Sequence, residues 1–373
     1  MRPNLKLGTA IKPMSKDKPQ VSKIGLREIA SAAGVSISTA SRVLNGNDRV
    51  ESALRQKVLD AAERLNIDLS LRDKAKTLLF VLSNRGMYDA FHSRVLLGAE
   101  ESCVALGWNI LFMSFNYSPN TPWRELHLPK VVQRHDFVRG IILTGTNFVN
   151  LIELLHNKGI ISVALGNNIS GDTQRFKADI VFSDEIQGGC DVTRYLIGLG
   201  HRDIWYVGNL RLPWFARGFA GYSRAMEDAG LEPRQSHIDS ENSTEVGYLG
   251  TKSLLARGES VTAIFAGNDP AAHGVYKALR DSDLRIPEDV SVVGCSDTIA
   301  GMLYPALTTI REFPEQLGKQ MVELVLNRIS NPLSDPKRVT IPTELIKRDS
   351  CRKPIPTVRG NPAQENKQGV FAR

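Results

Sequence analysis

The chain has 373 residues, of which 42% are hydrophobic and 23% are charged. These values are ordinary for a globular protein and exclude a fibrous or wholly disordered one, and the length favours two or three domains. No apolar run is long enough to span a bilayer and the N-terminus lacks a signal peptide's apolar core, so we expect no membrane partner. The four cysteines are scattered without metal-site or disulfide-scaffold spacing, which favours a reducing cytoplasm.

The net charge of +7 is unevenly placed along the chain. Residues 1–77 contain fifteen Lys or Arg and eight Asp or Glu, whereas the remainder contains 32 of each sign. All of the excess positive charge therefore lies in the N-terminal part. Such an asymmetry is typical of a nucleic-acid-binding module joined to a neutral domain.

The N-terminal segment, residues 1–22, has three prolines among scattered lysines and neither helical nor strand periodicity. We expect it to be a disordered basic arm. The next stretch, residues 23–67, predicts a small helical domain. Ile29, Ala30 and Ala33 repeat at helical spacing, Gly34 ends the first helix, and Ser36 is a good N-cap for a second helix that extends to about Asn45.

Two short helices joined by a tight turn form a helix-turn-helix, which places its second helix in the DNA major groove. A third helix is predicted from about Ser52 to Leu65. The alternative is a helical hairpin whose polar face is simply solvated. On the DNA-binding interpretation, hydrogen-bonding and cationic side chains reach base edges and phosphates. The candidate DNA-binding residues are Arg27, Ile37, Ser38, Thr39, Ser41, Arg42, Asn45 and Arg49.

A linker is predicted at residues 68–77, and from Leu78 apolar strands alternate with helices. The strands are LLFVLS, NILFMSF, RGIILTG, ISVAL, ADIVFS, DIWYVG, TAIFAG and VSVVGC, and the helices lie at about 91–106, 150–157, 185–199, 215–228, 245–256, 271–280 and 314–329. This alternation predicts a doubly wound parallel α/β fold. About 270 residues are too many for one such sheet, so we expect two sheets with a cleft between them.

Several long motifs carry a resemblance to a known family. LREIASAAGVSISTASRVLNG and RQKVLDAAERL resemble the DNA-binding headpiece of the LacI family of bacterial transcription regulators, and GLGHRDIWYVG, TAIFAGNDPAAHGVYKAL and IPEDVSVVGCSD resemble its sensor core. The resemblance implies a two-lobed core like the periplasmic sugar-binding proteins, with three crossovers between the lobes. We place this core at 78–351, with lobes of about 78–178 plus 308–333 and 179–307 plus 338–351, and a disordered tail at 352–373.

The linker departs most from the family, which joins headpiece to sensor through a hinge helix that inserts a leucine into the minor groove. Here the usual Pro-Asn start is missing and the linker is about five residues shorter. Unstacking a base step needs an apolar side chain, and Leu69 and Leu71 are the linker residues of that kind. We expect a shortened hinge with Leu71 as the wedge. A flexible tether is the alternative.

The resemblance also implies effector-binding positions, which fall near the carboxyl ends of strands. Asn268 and Asp269 follow a predicted strand, although one of them is also expected to cap the next helix. Ser296 stands where the family usually has a ligand-binding Asp, and Asn167 replaces a frequent Arg. Phe91 has a core role as its alternative. The candidate effector-binding residues are Phe91, His92, Asn167, Arg217, Asn268, Asp269 and Asp297.

The sequence therefore favours a cytoplasmic transcription regulator that joins the bacterial nucleoid when bound to its operator. It is expected to bind palindromic double-stranded DNA as a homodimer, and to respond to a sugar or related metabolite. We interpret it as a repressor, with an activator or dual regulator as alternatives. A solute-binding module without DNA function and an α/β enzyme are alternatives from other classes. No catalytic residue, metal site or cofactor is expected, since no Walker loop, nucleophile elbow or zinc-spaced His pair is present.

Overall fold

The computed structural model describes residues 26–44, 50–65, 76–86, 89–134, 137–171 and 178–354. The chain forms two compact units, one ending at Ala75 and the other beginning at Lys76. The arm predicted at 1–22, most of the linker and most of the C-terminal tail lie outside the described residues.

The first unit contains three helices, α1 (Leu26–Ala33), α2 (Ile37–Leu44) and α3 (Ser52–Arg64). Small side chains dominate their shared core, which lets the helix axes approach closely. The buried residues are Ile29, Ala30, Ala33, Ala40, Val43, Val58, Ala61 and Ala62. Glu51 precedes α3 and forms no side-chain cap. Leu59 of this helix is 37% exposed, whereas Ala61 and Ala62 face the core.

The second unit contains two six-stranded sheets among its described residues. The strands are β1 (Thr77–Ser83), β2 (Asn109–Phe115), β3 (Gly140–Gly145), β4 (Asn147–Phe148), β5 (Ser162–Leu165), β6 (Ile169–Ser170), β7 (Asp179–Ser183), β8 (Ile204–Gly208), β9 (Arg234–His237), β10 (Ala263–Ala266), β11 (Ser291–Ser296), β12 (Thr308–Arg311), β13 (Arg338–Ile341) and β14 (Glu344–Ile346). The helices are α4 (Ala90–Ala105), α5 (Val149–Asn157), α6 (Glu185–Gly198), α7 (Pro213–Asp228), α8 (Ser243–Ala256), α9 (Asp269–Arg280) and α10 (Pro314–Ser330).

The first sheet has the order β13-β7-β5-β3-β1-β2, and its paired strands are parallel. Every residue of β1 is buried because helices cover both faces. Leu78 and Phe80 lie on the face of the sheet that is covered by α4 and α10, whereas Leu79 and Val81 lie on the face that is covered by α5. The second sheet has the order β14-β12-β11-β10-β8-β9, and only its β12–β14 pair is antiparallel among the described pairs. The predicted doubly wound α/β fold in two lobes is confirmed.

The chain crosses between the lobes three times: between β7 and α6, between β12 and α10, and between β13 and β14. This number matches the expectation, but the predicted lobe boundaries were wrong. β7 pairs with β5 and β13 in the first lobe, so the crossing follows residue 183 rather than 178. Likewise β12 pairs with β11 in the second lobe, and β13 belongs to the first. Local apolar patterns fix a strand but not the sheet that it joins.

Two further expectations need correction. The edge strand β9, with the sequence RQSH, was not predicted because it has no apolar run. The tail does not begin at Arg352, whose N–H donates to the Ser291 hydroxyl at 3.1 Å while its carbonyl lies 2.9 Å from Nε2 of His201. The chain at Arg352 therefore still packs on the second lobe, close to the end of the described residues. Among the described helices, none is long and apolar enough to cross a membrane.

Candidate functional sites

The turn between α1 and α2 is fixed by two residues. Gly34 has a φ of +64°, a left-handed conformation that other residues adopt only with strain. The next residue, Val35, donates its N–H to the Ala30 carbonyl at 3.0 Å, which closes the end of α1. The Ser36 hydroxyl then accepts the N–H of Thr39 at 3.1 Å, so its predicted role as the cap of α2 is confirmed.

This turn leaves the N-terminal part of α2 outward-facing. Ile37 and Ser38 are exposed in its first turn, and Arg42 is exposed one turn later. Arg27 is exposed on α1, whereas Thr39 and Ser41 are half-buried. An apolar side chain, hydroxyls and cations together suit a groove lined by base edges and phosphates. Three other predicted DNA-binding residues, Asn45, Arg49 and Leu71, lie outside the described residues.

The second unit has a cleft between its lobes, lined by side chains from both of them. It lies beyond the carboxyl ends of the parallel strands in both sheets, as ligand sites of such folds do. The lining residues are Arg85, Asp89, Ala90, Phe91, His92, Asn168, Glu185, Trp214, Gly218, Ser243, Gly267, Asn268, Pro270, Cys295, Ser296, Thr298 and Glu312. A surface depression beside Arg328 and Asp179 is a weaker candidate, since these two side chains already satisfy each other in an ion pair at 2.8 Å.

Three of the predicted effector-binding residues line this cleft: Phe91, His92 and Asn268. The His92 ring is held from both sides, with Nδ1 2.8 Å from the Asp89 carboxylate and Nε2 2.9 Å from the Asn168 amide. Asn268 caps α9 by accepting the N–H of Ala271, so its expected capping role is present alongside its place in the cleft. These three side chains line the space that a ligand in the cleft would occupy.

The other four predicted residues do not line the cleft, and each has a structural contact instead. The Asn167 amide is buried and bonds both the N–H and the carbonyl of Ser183, so it joins the ends of β5 and β7. Its neighbour Asn168 faces the cleft in its place. Asp269 is completely buried and accepts hydrogen bonds from the Thr309 hydroxyl and the Thr298 N–H.

Arg217 and Asp297 are each engaged in ion pairs. The Arg217 Nε donates to Glu185 at 2.6 Å, while its Nη2 is buried without a hydrogen-bond partner. Asp297 is held by Arg311 at 2.8 Å and Arg348 at 2.7 Å, both within the second lobe. Direct ligand contact by these two residues stays a prediction. Arg217 instead holds Glu185, which does line the cleft.

The sequence interpretation missed several lining residues, notably Arg85, Trp214, Glu185 and Glu312. Arg85 follows β1 and Glu312 follows β12, so the rule that ligands lie at strand ends was a usable signal for both. Trp214 lies in the first turn of α7, where no comparable rule points to it. The Arg85 guanidinium stacks on the Trp214 ring, a cation–π contact between the two lobes.

Charge is concentrated at the floor of the cleft. Burial and the adjacent Glu185 carboxylate raise the pKa of Glu312 well above its usual range. Burial alone would also raise the pKa of Asp89, but the hydrogen bond from His92 holds it well below its usual range. The protonated form is therefore favoured at Glu312 and the ionised form at Asp89. Among the described residues, no His, Cys, Asp and Glu cluster is suited to a metal ion.

Comparison with known proteins agrees with this two-unit arrangement. Residues 25–67 match the family described as bacterial regulatory proteins, lacI family, and residues 193–351 match a periplasmic binding protein-like domain. The ribose operon repressor of Haemophilus influenzae is 30% identical over 341 residues, which cover 87% of this chain and 98% of the relative. The chain belongs to the LacI family.

Other LacI-family proteins are similar over the same length. The HTH-type transcriptional regulator RegA of Clostridium saccharobutylicum is 28% identical, with 87% of this chain and 98% of RegA covered. Among solved structures, the transcriptional regulator CelR–cellobiose complex is 26% identical, with a TM-score of 0.64 and coverage of 87% and 99%. The lac repressor dimer bound to operator and the anti-inducer ONPF has a TM-score of 0.68, coverage of 89% and 100% and 23% identity, a likeness that shows the shared fold.

Proposed function

We propose that this LacI-family chain is a transcriptional repressor that binds a palindromic operator as a homodimer, and that a small molecule in the interlobe cleft sets its DNA affinity. The observation that carries this proposal is the pairing of an outward-facing helix-turn-helix with a two-lobed unit whose cleft is lined from both lobes. A solute-binding module alone would leave the exposed cationic face of the first unit without a role.

On DNA, the first turn of α2 reads the base edges. Helix-turn-helix proteins contact bases through the N-terminal residues of the second helix, which here are Ile37 and Ser38. Ile37 is a large apolar side chain that is 48% exposed, and contact with a thymine methyl group accounts for that exposure. Arg27 and Arg42 are long exposed cations that contact phosphates, and they contribute affinity rather than sequence preference.

The homodimer is held through the second unit. Leu97 and Val104 of α4 are exposed, as is Leu106 directly after the helix, and Phe112 is exposed on the edge strand β2. Clustered apolar side chains of this size on one face mark an interaction surface. A second copy that packs its own α4 and β2 there gives an isologous interface, and the resulting twofold symmetry matches a palindromic operator.

The effector is a sugar or related metabolite. The cleft combines two aromatic side chains, Phe91 and Trp214, with convergent polar groups, as small-molecule sites do. The solved CelR relative is a cellobiose complex. The described cleft offers no activated nucleophile: Cys295 is buried, and burial raises the pKa of its thiol well above the usual range. Binding without catalysis is therefore the role that the cleft supports.

Selection of binding sites from random DNA by the full-length protein tests this function. We expect a palindromic consensus whose affinity, measured by fluorescence anisotropy, falls by roughly 10³ or more between 50 and 200 mM salt, as phosphate neutralisation requires. An activator would recover an equally good operator, so transcription from a promoter that overlaps the operator distinguishes the two. Failure to enrich any sequence contradicts the proposed function.

A further inference from the structure

The floor of the cleft holds a buried carboxyl oxygen without a hydrogen-bond partner. Glu312 is 4% exposed, lines the cleft, and its Oε1 is buried without a hydrogen-bond partner. Beside it lies Glu185, which is 6% exposed and whose Oε2 accepts from Arg217 Nε at 2.6 Å. Two carboxyl groups therefore share one guanidinium. A buried polar atom without a partner costs free energy, so a group that pairs with Glu312 gains by entering the site.

The rest of the lining disfavours an anionic ligand. Asp89, Glu185 and Glu312 are the acidic side chains of the cleft, and Arg85 is the one Lys or Arg among its described lining residues. Arg85 is already engaged, with Asp89 at 3.9 Å and the Trp214 ring 3.8 Å from its guanidinium carbon. A phosphate or carboxylate would meet three carboxyl groups, and the one Lys or Arg among the described lining residues is already engaged. A positively charged group would instead pair with the second carboxyl group.

We propose that the effector carries a protonated amine, and that this ammonium group binds Glu312 and Glu185 at the floor of the cleft. An amino sugar is the ligand class that combines such a group with the polar and aromatic walls. The proposal rests on the proposed function, since it takes the cleft to be the effector site. Glu312 is then the residue that distinguishes an aminated ligand from its hydroxyl counterpart, because an ammonium gains a charge-assisted hydrogen bond there.

Binding of an amine should release a proton. In the empty cleft, burial and the neighbouring Glu185 raise the pKa of Glu312 well above its usual range, which favours its protonated form. The charged or titratable groups that influence it are Glu185 from α6, Arg217 from α7 and Cys295 from β11, with the Ser183 hydroxyl of β7 nearby. An ammonium beside Glu312 favours its carboxylate, so the acid proton passes to the buffer.

Matched sugar pairs test the proposal by calorimetry on the full-length protein at pH 7. Glucosamine, galactosamine and mannosamine are compared with glucose, galactose and mannose, which differ at one substituent. We expect at least one amino sugar to bind at least 10-fold more tightly than its neutral counterpart. The binding heat should also differ between phosphate and Tris buffers in the sense of proton release. If no amino sugar binds, or if a neutral sugar binds as tightly as its amine, the proposal is overturned.

Two variants assign the preference to Glu312. Glu312→Gln keeps the size of the neutral acid and should lose both the 10-fold preference and the proton release, whereas Glu344→Gln, at a 56% exposed side chain, should keep both. If Glu312→Gln fails to fold, the buffer dependence of the parent protein alone decides. Fluorescence anisotropy with the selected operator, in the absence of sugar, tests the proposed function separately. If the protein binds this DNA but prefers a neutral sugar, the proposal of an aminated effector is overturned and the proposed function stands.

Discussion

The guanidinium carbon of Arg85 lies 3.8 Å from the centre of the Trp214 ring, and the two side chains come from opposite lobes. Arg85 follows β1 in the first lobe, and Trp214 lies in the first turn of α7 in the second. Both line the cleft, so their contact joins the lobes beside the ligand space. Arg94 of α4 forms a second link, donating at 3.0 Å to the Asp297 carbonyl.

Removing the Arg85 side chain should loosen the two lobes. A partly desolvated cation–π contact stabilises by about 1–2 kcal/mol, so Arg85→Ala should lower the unfolding free energy by roughly that amount. Acrylamide should then quench the fluorescence of Trp214 more strongly. The fluorescence that is lost in Trp214→Phe identifies the contribution of this residue. Arg124→Ala is the control, since Arg124 stacks on Trp123 without linking the lobes. Unchanged Trp214 quenching would show that the lobes do not depend on this contact.

Substitutions in the residues that read bases and in the residues that contact phosphates should have different effects on DNA binding. Exchanging both Ile37 and Ser38 for other residues should change the operator recovered from random DNA, because these exposed residues open the recognition helix. Arg42→Ala should weaken binding to all sequences similarly and reduce the salt slope by about one. Competition anisotropy with specific and nonspecific DNA measures both effects. Recovery of the parent operator by the double variant would refute the assignment.

The turn glycine should resist substitution for a backbone reason. Gly34→Ala meets no atom within 4 Å, but its φ of +64° strains any residue with a Cβ, so the first unit should lose about 1 kcal/mol or more. Gly198→Ala is the matched control, since Gly198 also has open space but lacks a positive φ. Thermal unfolding of the unit that carries each substitution, together with operator affinity, reports the effect. Equal behaviour of the two variants would contradict it.

Asp269 should make stability depend on pH. Burial raises the pKa of its carboxyl from 3.8 to about 7. The folded protein keeps a proton on Asp269 that the unfolded chain releases. The resulting contribution to the free energy of unfolding is therefore complete below about pH 3.8 and is lost as the pH rises through 7. In Asp269→Asn, the side-chain oxygen can face the backbone N–H groups while the NH₂ group faces Thr309. This variant does not titrate, so it should lose the dependence of unfolding free energy on pH, which is up to about 1.4 kcal/mol per pH unit. Urea unfolding between pH 4 and 8 measures it, and an unchanged slope contradicts it.

The shortened hinge predicted at 68–77 is tested through Leu71, which lies outside the described residues. Leu71→Ala should reduce operator affinity and DNA bending, because it removes an apolar side chain able to unstack a base step. Effector affinity of the free protein should stay nearly unchanged. Leu69→Ala is the adjacent comparison. If Leu71→Ala binds and bends operator like the parent, the flexible tether is correct.

The sequence predicted best where a pattern was long. The headpiece motif located α1 and α2, and the apolar runs located β1, β3 and most central strands, because buried parallel strands are apolar throughout. It failed where the determining contact was distant along the chain. β12 and β13 exchange sheets relative to the prediction, and no residue within either strand encodes which partner it pairs with.

At the candidate site, the strand-end rule identified Asn268 but could not resolve neighbouring side chains. Asn167 and Asn168 have the same chemistry, yet the first bonds Ser183 and the second faces the cleft. The difference depends on backbone direction in one short turn after β5. Glu312 was missed for another reason: its role depends on Glu185, which lies 127 positions earlier in the chain and meets it only in the folded protein.

The three chain crossings between the lobes also restrict how the second unit can move. A single connection would allow one lobe to swivel about several axes, whereas three side-by-side connections must all deform together. Twisting one lobe against the other would stretch some of the three connections, and sliding it would stretch all of them. Rotation about the line through the three crossings is therefore the motion of lowest energy. Cleft opening is then close to a one-dimensional coordinate. A ligand that bridges Phe91 and Trp214 would therefore set one angle, the angle between the two lobes of the second unit.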